Sequence, residues 1–386
     1  MRSRAEPFGA WVRVDEETLV GVSRAGARRL GIDGGALWDQ EKTPPISAPL
    51  EVHLAVTARC GAGCEGCYVD AQPDGDVPSF AVLVSRLEAV AKAGVFTVAF
   101  GGGEPLTRPD LGELAREARR LDLIPVVTTS GIGLHRERAR SLRSFAQVNV
   151  SYDGQGADFT AVRGYDGSSA AERTMAMLRE EGVPFGVNVV LTSGSFEGLG
   201  RTLERAEALG AREAQLLRYK PAGRARGLDY LAKRLRRDQV ARLYPTLERL
   251  ALERPGLSLR VDCALVPLLG AGELDVERLQ RFGVFGCEAG RHLTAGRVDG
   301  DLAPCSFGPS AKAPLADGFS GSAWAEAEIL EAWRALPDAE PCRSCSLRSV
   351  CRGGCKVVSE HLEGRLGPDP ECPRVLRHRE ASVAEG

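Results

Sequence analysis

Residues 59–68 read Arg-Cys-Gly-Ala-Gly-Cys-Glu-Gly-Cys-Tyr, three cysteines within eight positions, with glycine at 61, 63 and 66. Glycine lets a backbone curl until the three thiolates of Cys60, Cys64 and Cys67 face one point. Thiolates suit zinc and iron-sulfur clusters. A structural metal site normally takes four protein ligands. Three ligands leave one iron of a [4Fe-4S] cluster open to a substrate or cofactor. The competing reading is a zinc knob whose fourth ligand is distant, His53 or Cys263.

The loop follows a strand-like run, LEVHLAVT (50–57), and that placement decides the fold. VFTVAF (95–100) is a second strand, followed by GGGEPL. LIPVVTT (123–129), AQVNVSY (146–152), PFGVNVVLT (184–192) and EAQLLRY (213–219) complete six, with helical patterns between them. Strands alternating with helices imply parallel pairing and right-handed crossovers. Six such units predict an α/β fold, a partial (β/α)6 barrel, with its chemistry at the strand C-terminal ends. The cysteine loop, the glycine loop, TTSG (128–131) and SYDG (151–154) all fall on that rim.

Outside the barrel the reading is coarser. Residues 1–45 form a small appendage with a strand pair at 9–23 and a proline-rich link, Lys42-Thr43-Pro44-Pro45. The barrel spans 46–225, and 226–285 reads as a charged helical linker. From 286 to 386 periodicity weakens while Gly, Pro and Cys rise, as in a small domain held by metal. The 386 residues are 43% hydrophobic and 26% charged, with a net charge of −2. That balance points away from nucleic acid and anionic membranes as partners. No eighteen-residue apolar run predicts a membrane span. The N-terminus lacks a signal core, so a cytoplasmic location is expected. In that compartment eleven cysteines read as metal ligands or catalytic groups rather than a disulfide framework.

On the residues just quoted, the chain resembles the radical S-adenosylmethionine (SAM) superfamily. CGAGCEGC matches its CxxxCxxC loop after strand one, and Gly102-Gly103-Glu104-Pro105 its GGEP motif after strand two. Ser151-Tyr152-Asp153-Gly154 and Arg163-Gly164 match its SxDG…RG segment. The resemblance implies that SAM binds the open iron of the first cluster. Glu104 then takes its ammonium group, Gly102 and Gly103 allow the methionine to approach edge-on, and Arg163 pairs with its carboxylate. Ser151 hydrogen-bonds the ribose or carboxylate, and Asp153 holds the turn. The residue before the third cysteine is usually aromatic in the family and here is Gly66; Tyr68 is the nearest ring to replace it beside the adenine. The implied reaction is reductive cleavage of SAM to methionine and a 5′-deoxyadenosyl radical, which abstracts hydrogen from a substrate.

The remaining eight cysteines resemble the SPASM extension of the same superfamily. Cys287, Gly300 and Cys305 precede CRSCSLRSVCRGGC, which carries Cys342, Cys345, Cys351 and Cys355, and Cys372 closes the set. The resemblance implies two auxiliary [4Fe-4S] clusters, three in all. Cys342, Cys345, Cys351 and Cys372 would hold one. Cys287, Cys305 and Cys355 would hold the other, with Cys263 as its fourth ligand by arithmetic. Such clusters can accept an electron from a substrate radical. The expected activity is therefore oxidative modification of a precursor peptide or protein (a crosslink, thioether or dehydrogenation), with flavodoxin or ferredoxin as reductant. The alternative is oxidation or epimerisation of a small molecule such as an aminocyclitol or sugar. Arg218, Lys220, Arg224 and Arg226, after strand six, read either as a cationic patch for a carboxylate-bearing substrate or as a charged linker.

Overall fold

The computed structural model describes residues 2–16, 18–40, 46–272, 274–281, 283–319, 324 and 327–384. The link Lys42–Pro45 lies outside the described residues. Six parallel strands carry the barrel: β4 Glu51–Thr57, β5 Thr97–Gly102, β6 Ile124–Thr129, β7 Gln147–Ser151, β8 Phe185–Leu191 and β9 Glu213–Arg218. They pair in sequence order, as the six-unit reading expects. Two further pieces extend the sheet. Ser258–Val261 (β10) pairs parallel with β9, and Leu293–Gly296 (β11) pairs parallel with β4. Leu302–Ala303 (β12) then adds an antiparallel edge, making nine strands among the described residues. The cysteine-rich segment is thus joined to the barrel's first strand by backbone pairing.

Helices Phe80–Lys92 (α2), Leu111–Arg120 (α3), Ser168–Glu180 (α6) and Leu199–Leu209 (α7) cover one face of the sheet. In α2, Leu83, Leu87 and Val90 are buried, the spacing that places apolar side chains on one stripe. Ser79 caps the helix, its hydroxyl accepting from the Val82 amide at 3.3 Å. Alternate residues of β4, Val52, Leu54 and Val56, pack into the same core. The other face of the sheet is polar. Gln147 donates to Asn149 at 2.8 Å and to Glu213 at 3.1 Å, and His53 bonds Glu51 at 2.8 Å.

The strand pair expected at 9–23 is present as Gly9–Arg13 (β2) and Leu19–Ser23 (β3), with Arg2–Glu6 (β1) as a third strand. Arg4 fastens this sheet to the barrel, donating to the carbonyls of Ala48, Pro49 and Gly94. Segment 226–285 carries Leu228–Lys233 (α8) and Arg237–Glu253 (α9), and then β10. Among the described residues no helix is long and apolar enough to cross a membrane.

Candidate functional site

The cysteine loop leaves β4 at Thr57 and is tied to its neighbour strand by short backbone bonds. Gly103 N donates to Thr57 O at 2.7 Å, and Glu104 N to Arg59 O at 2.9 Å. This contact explains the two glycines. A Cβ on Gly102 would stand 2.3 Å from Thr57 O, and one on Gly103 2.3 Å from Arg59 O. Gly102 also has φ +105°, which an L side chain resists. Both glycines therefore serve the approach of two loops. Within the cysteine loop, amides of Ala62 and Ala71 point at the sulfurs of Cys60 and Cys67, each at 3.4 Å. Such donors stabilise thiolate.

Glu104 is 4% exposed and receives four hydrogen bonds. Oε1 accepts from Thr129 Oγ1 (2.6 Å) and Leu106 N (3.0 Å). Oε2 accepts from Ser130 N (2.7 Å) and Ser130 Oγ (2.5 Å). Burial raises its pKa, with the Ser130, Thr129 and Leu106 bonds opposing. Among the described residues no cation pairs with it. A buried carboxylate held by neutral donors is suited to an incoming ammonium. Thr129 and Ser130, from the TTSG stretch, fix its orientation.

Arg163 ends helix Ala157–Arg163 (α5). Its Nε donates to Asp153 Oδ2 at 2.6 Å, and Nη1 reaches Cys64 Sγ at 3.9 Å. Burial opposes its charge, but Asp153 and then the Cys64 thiolate hold the guanidinium protonated, its pKa raised overall. Asp153, itself 1% exposed, accepts from Val190 N at 2.7 Å and so fixes the arginine to β8. Gly164 follows at φ +83°, where a Cβ would strike the Glu65 carboxylate at 2.4 Å. The motif residues of strands one, two and four thus meet at one loop. Ser151 sits at the end of β7, in register with Asn188. Tyr68 packs against Phe307, ring centroids 4.5 Å apart, with its phenol beside the Gly102 backbone. Burial pushes that phenol up to about 12.

The remaining thiols fall into two groups. Cys342, Cys345, Cys351 and Cys372 line one cavity together with Pro267, Pro341 and Leu347. Cys287 and Cys355 both lie close enough to Cys263 and to Cys305 to disfavour their thiolates. Burial, then the nearby Cys287, pushes Cys305 up to about 12. Burial raises the pKa of Cys263, Cys305 and Cys355, and a bound cation would deprotonate such thiols, so the donor chemistry of both groups fits a cluster. Among the described residues no three Cys, His, Asp or Glu side chains converge closely enough to hold a single metal ion.

The basic run after strand six departs from both readings at Arg218, Lys220 and Arg224, while Arg226 is exposed. Arg218 is buried and forms ion pairs with Asp369 at 2.7 Å and Glu371 at 2.7 Å. Lys220 pairs with Asp262 at 2.5 Å and lies 4.3 Å from the Phe307 ring centroid. Arg224 binds Asp70 and the carbonyl of Cys64. These three cations are neutralised by the chain's own groups; Arg218 and Lys220 join the barrel to the cysteine-rich segment, and Arg224 braces the first cysteine loop. Asp369 also accepts from the Cys355 amide at 3.0 Å, so it sits between the two thiol groups. Sequence reading missed Asp369, Asn188 and Tyr219. Tyr219 alone had a local signal, an aromatic residue at the C-terminal end of a barrel strand.

This fold and site define a class. The Radical SAM superfamily model matches residues 54–206. The chain belongs to the radical SAM superfamily, in its SPASM subgroup, and is an enzyme of that class. Over 350 residues it is 30% identical to a PqqA peptide cyclase of Streptomyces rochei, covering 85% of this chain and 90% of that protein. It is 28% identical to the mycofactocin maturase MftC of Mycobacterium tuberculosis over 88% of this chain and 86% of that one. Its fold matches SuiB of Streptococcus suis, solved with its precursor peptide SuiA, at a TM-score of 0.71 and 17% identity. That match covers 96% of this chain and 98% of SuiB.

Proposed function

We propose that this protein oxidatively modifies a ribosomally made precursor peptide, installing a crosslink, thioether or unsaturation. The names of the relatives, a peptide cyclase and a maturase, support a peptide over a sugar or aminocyclitol substrate. The observation that carries the radical chemistry is the meeting of Cys60, Cys64 and Cys67 with Glu104 and Arg163 on one rim.

In this reading the three thiols hold a [4Fe-4S] cluster and leave one iron for SAM. The bound pair supplies a 5′-deoxyadenosyl radical. Glu104 binds the ammonium of SAM, and Arg163, aimed by Asp153, binds its carboxylate. Ser151 bonds the ribose or carboxylate, and Tyr68 closes the side facing Phe307. Gly102 and Gly103 keep the two loops in contact. Cys342, Cys345, Cys351 and Cys372 hold one auxiliary cluster; Cys263, Cys287, Cys305 and Cys355 hold the other with a complete set of thiolates. Flavodoxin or ferredoxin supplies the first electron. Units 1–45, 46–225, 226–285 and 286–386 serve as appendage, radical barrel, linker and auxiliary domain.

Anaerobic reconstitution should give about twelve irons per chain, as three four-iron clusters require. Incubation with SAM, reductant and a precursor peptide encoded beside the gene should lower the peptide mass by about two daltons per two-electron oxidation. About four irons, or a zinc form that is fully active, would sink the reading. Cys263→Ala should alter the electron paramagnetic resonance (EPR) signal of one auxiliary cluster only. An unchanged spectrum would remove Cys263 from the ligand set.

A further inference from the structure

The cavity lined by Cys342, Cys345, Cys351 and Cys372 is also lined by two arginines, Arg348 and Arg374. Arg374 follows Cys372 by two residues and reaches back to Cys345. Its Nη1 donates to Cys345 Sγ at 3.4 Å and to Ser346 Oγ at 3.1 Å, and its Nε to Gly270 O at 3.4 Å. A guanidinium held at three points is a fixed donor to that sulfur. Arg348 donates to Arg343 O at 3.1 Å. Burial, then Cys372 and Cys345, pushes the Cys342 thiol up to about 11, and the Arg348 charge opposes them. Among the described residues no carboxylate pairs with Arg348 or Arg374. The other thiol set has no such excess of positive charge. The cations that reach its Cys355, Arg218 and Lys220, are paired with Asp369 and Asp262.

A four-iron cluster gains one negative charge when it is reduced. A fixed cation with an N–H on a ligand sulfur stabilises that charge more than it stabilises the oxidised form. We infer that Arg374 raises the reduction potential of the cluster held by Cys342, Cys345, Cys351 and Cys372, and so makes that cluster a stronger electron acceptor. The inference rests on the assignment of this thiol set to an auxiliary cluster. Arg374 acts through Cys345 and needs no contact with substrate.

The test is a redox titration of the reconstituted holoenzyme, followed by EPR, with Arg374→Met. That change keeps an apolar stem and removes the charge and the donors. At full iron content the midpoint of one auxiliary cluster should fall by about 59 mV, a tenfold change in the reduced fraction at fixed potential for a one-electron couple. The midpoints of the other two clusters should stay. A change of less than twofold in that fraction would overturn the inference. Arg374→Gln, neutral but still able to donate, gives a second arm, and its midpoint should also fall by more than the twofold equivalent. Loss of the cluster's iron in both variants would show Arg374 to be a structural tie and would overturn the inference too. An error in the underlying assignment would show separately, as a parent protein with about eight irons rather than twelve.

Discussion

Cys64→Ala is expected to reduce SAM cleavage to background while lowering iron from about twelve to about eight per chain. Cys64 is the thiol on which the rim converges. Arg163 Nη1 reaches its sulfur at 3.9 Å, and Tyr165 Oη at 3.7 Å. Without it the first cluster has two protein thiolates, too few to hold four irons against exchange. The auxiliary groups share no cysteine with this loop, so their irons should stay. Glu104→Gln separates cluster loss from cofactor loss. The amide cannot accept all four bonds that the carboxylate accepts, nor can it attract an ammonium. A hydrogen bond to a charged group contributes about 1.5–3 kcal/mol, so SAM should bind about 10- to 100-fold more weakly at full iron content. Measuring 5′-deoxyadenosine and iron side by side decides both cases. Cleavage persisting in Cys64→Ala would place the radical chemistry elsewhere.

Asp369→Ala should be the most damaging substitution away from the cysteines. Arg218 is 4% exposed and Asp369 1%, with guanidinium–carboxylate bonds of 2.7 and 3.2 Å. Removing one member of a buried pair leaves an uncompensated charge and costs about 3–5 kcal/mol. Glu371 remains at 2.7 Å from Arg218 and recovers part of that loss. The Cys355 amide also loses its acceptor. The expected result is a lower melting temperature under anaerobic conditions and loss of iron from both auxiliary sites. Arg218→Met combined with Asp369→Leu should melt above Asp369→Ala, because no charge is then stranded. An unchanged melt with all irons retained in Asp369→Ala would show the ion pair to be idle.

How much of this was legible in the sequence depended on how local the signal was. The six barrel strands are apolar runs separated by helical periods, and each was found within a residue or two. The cysteine spacings and the GGEP segment carry their chemistry in adjacent residues. β10 was missed because Ser-Leu-Arg-Val is four residues long and two of them are polar; its stability comes from pairing with β9. β11 was missed for the same reason, since it pairs with β4, some 240 residues earlier. The basic run 218–226 looked like a solvent-facing patch because its carboxylates lie at positions 262, 369, 371 and 70. Gly66 and Tyr219 each left a mark in the sequence, but their contact did not, because the two positions lie about 150 residues apart.

The Arg218–Asp369 clasp also bears on biogenesis. The ribosome emits Arg218 about 150 residues before its counter-ion. A nascent barrel therefore carries a guanidinium that cannot be buried with profit until Asp369 and Glu371 emerge. Cys372 comes three residues after Asp369, so the pairing of Arg218 and the completion of the set Cys342, Cys345, Cys351 and Cys372 coincide. A chain released before Asp369 would carry a buried guanidinium without its carboxylates and three of the four thiols of that set.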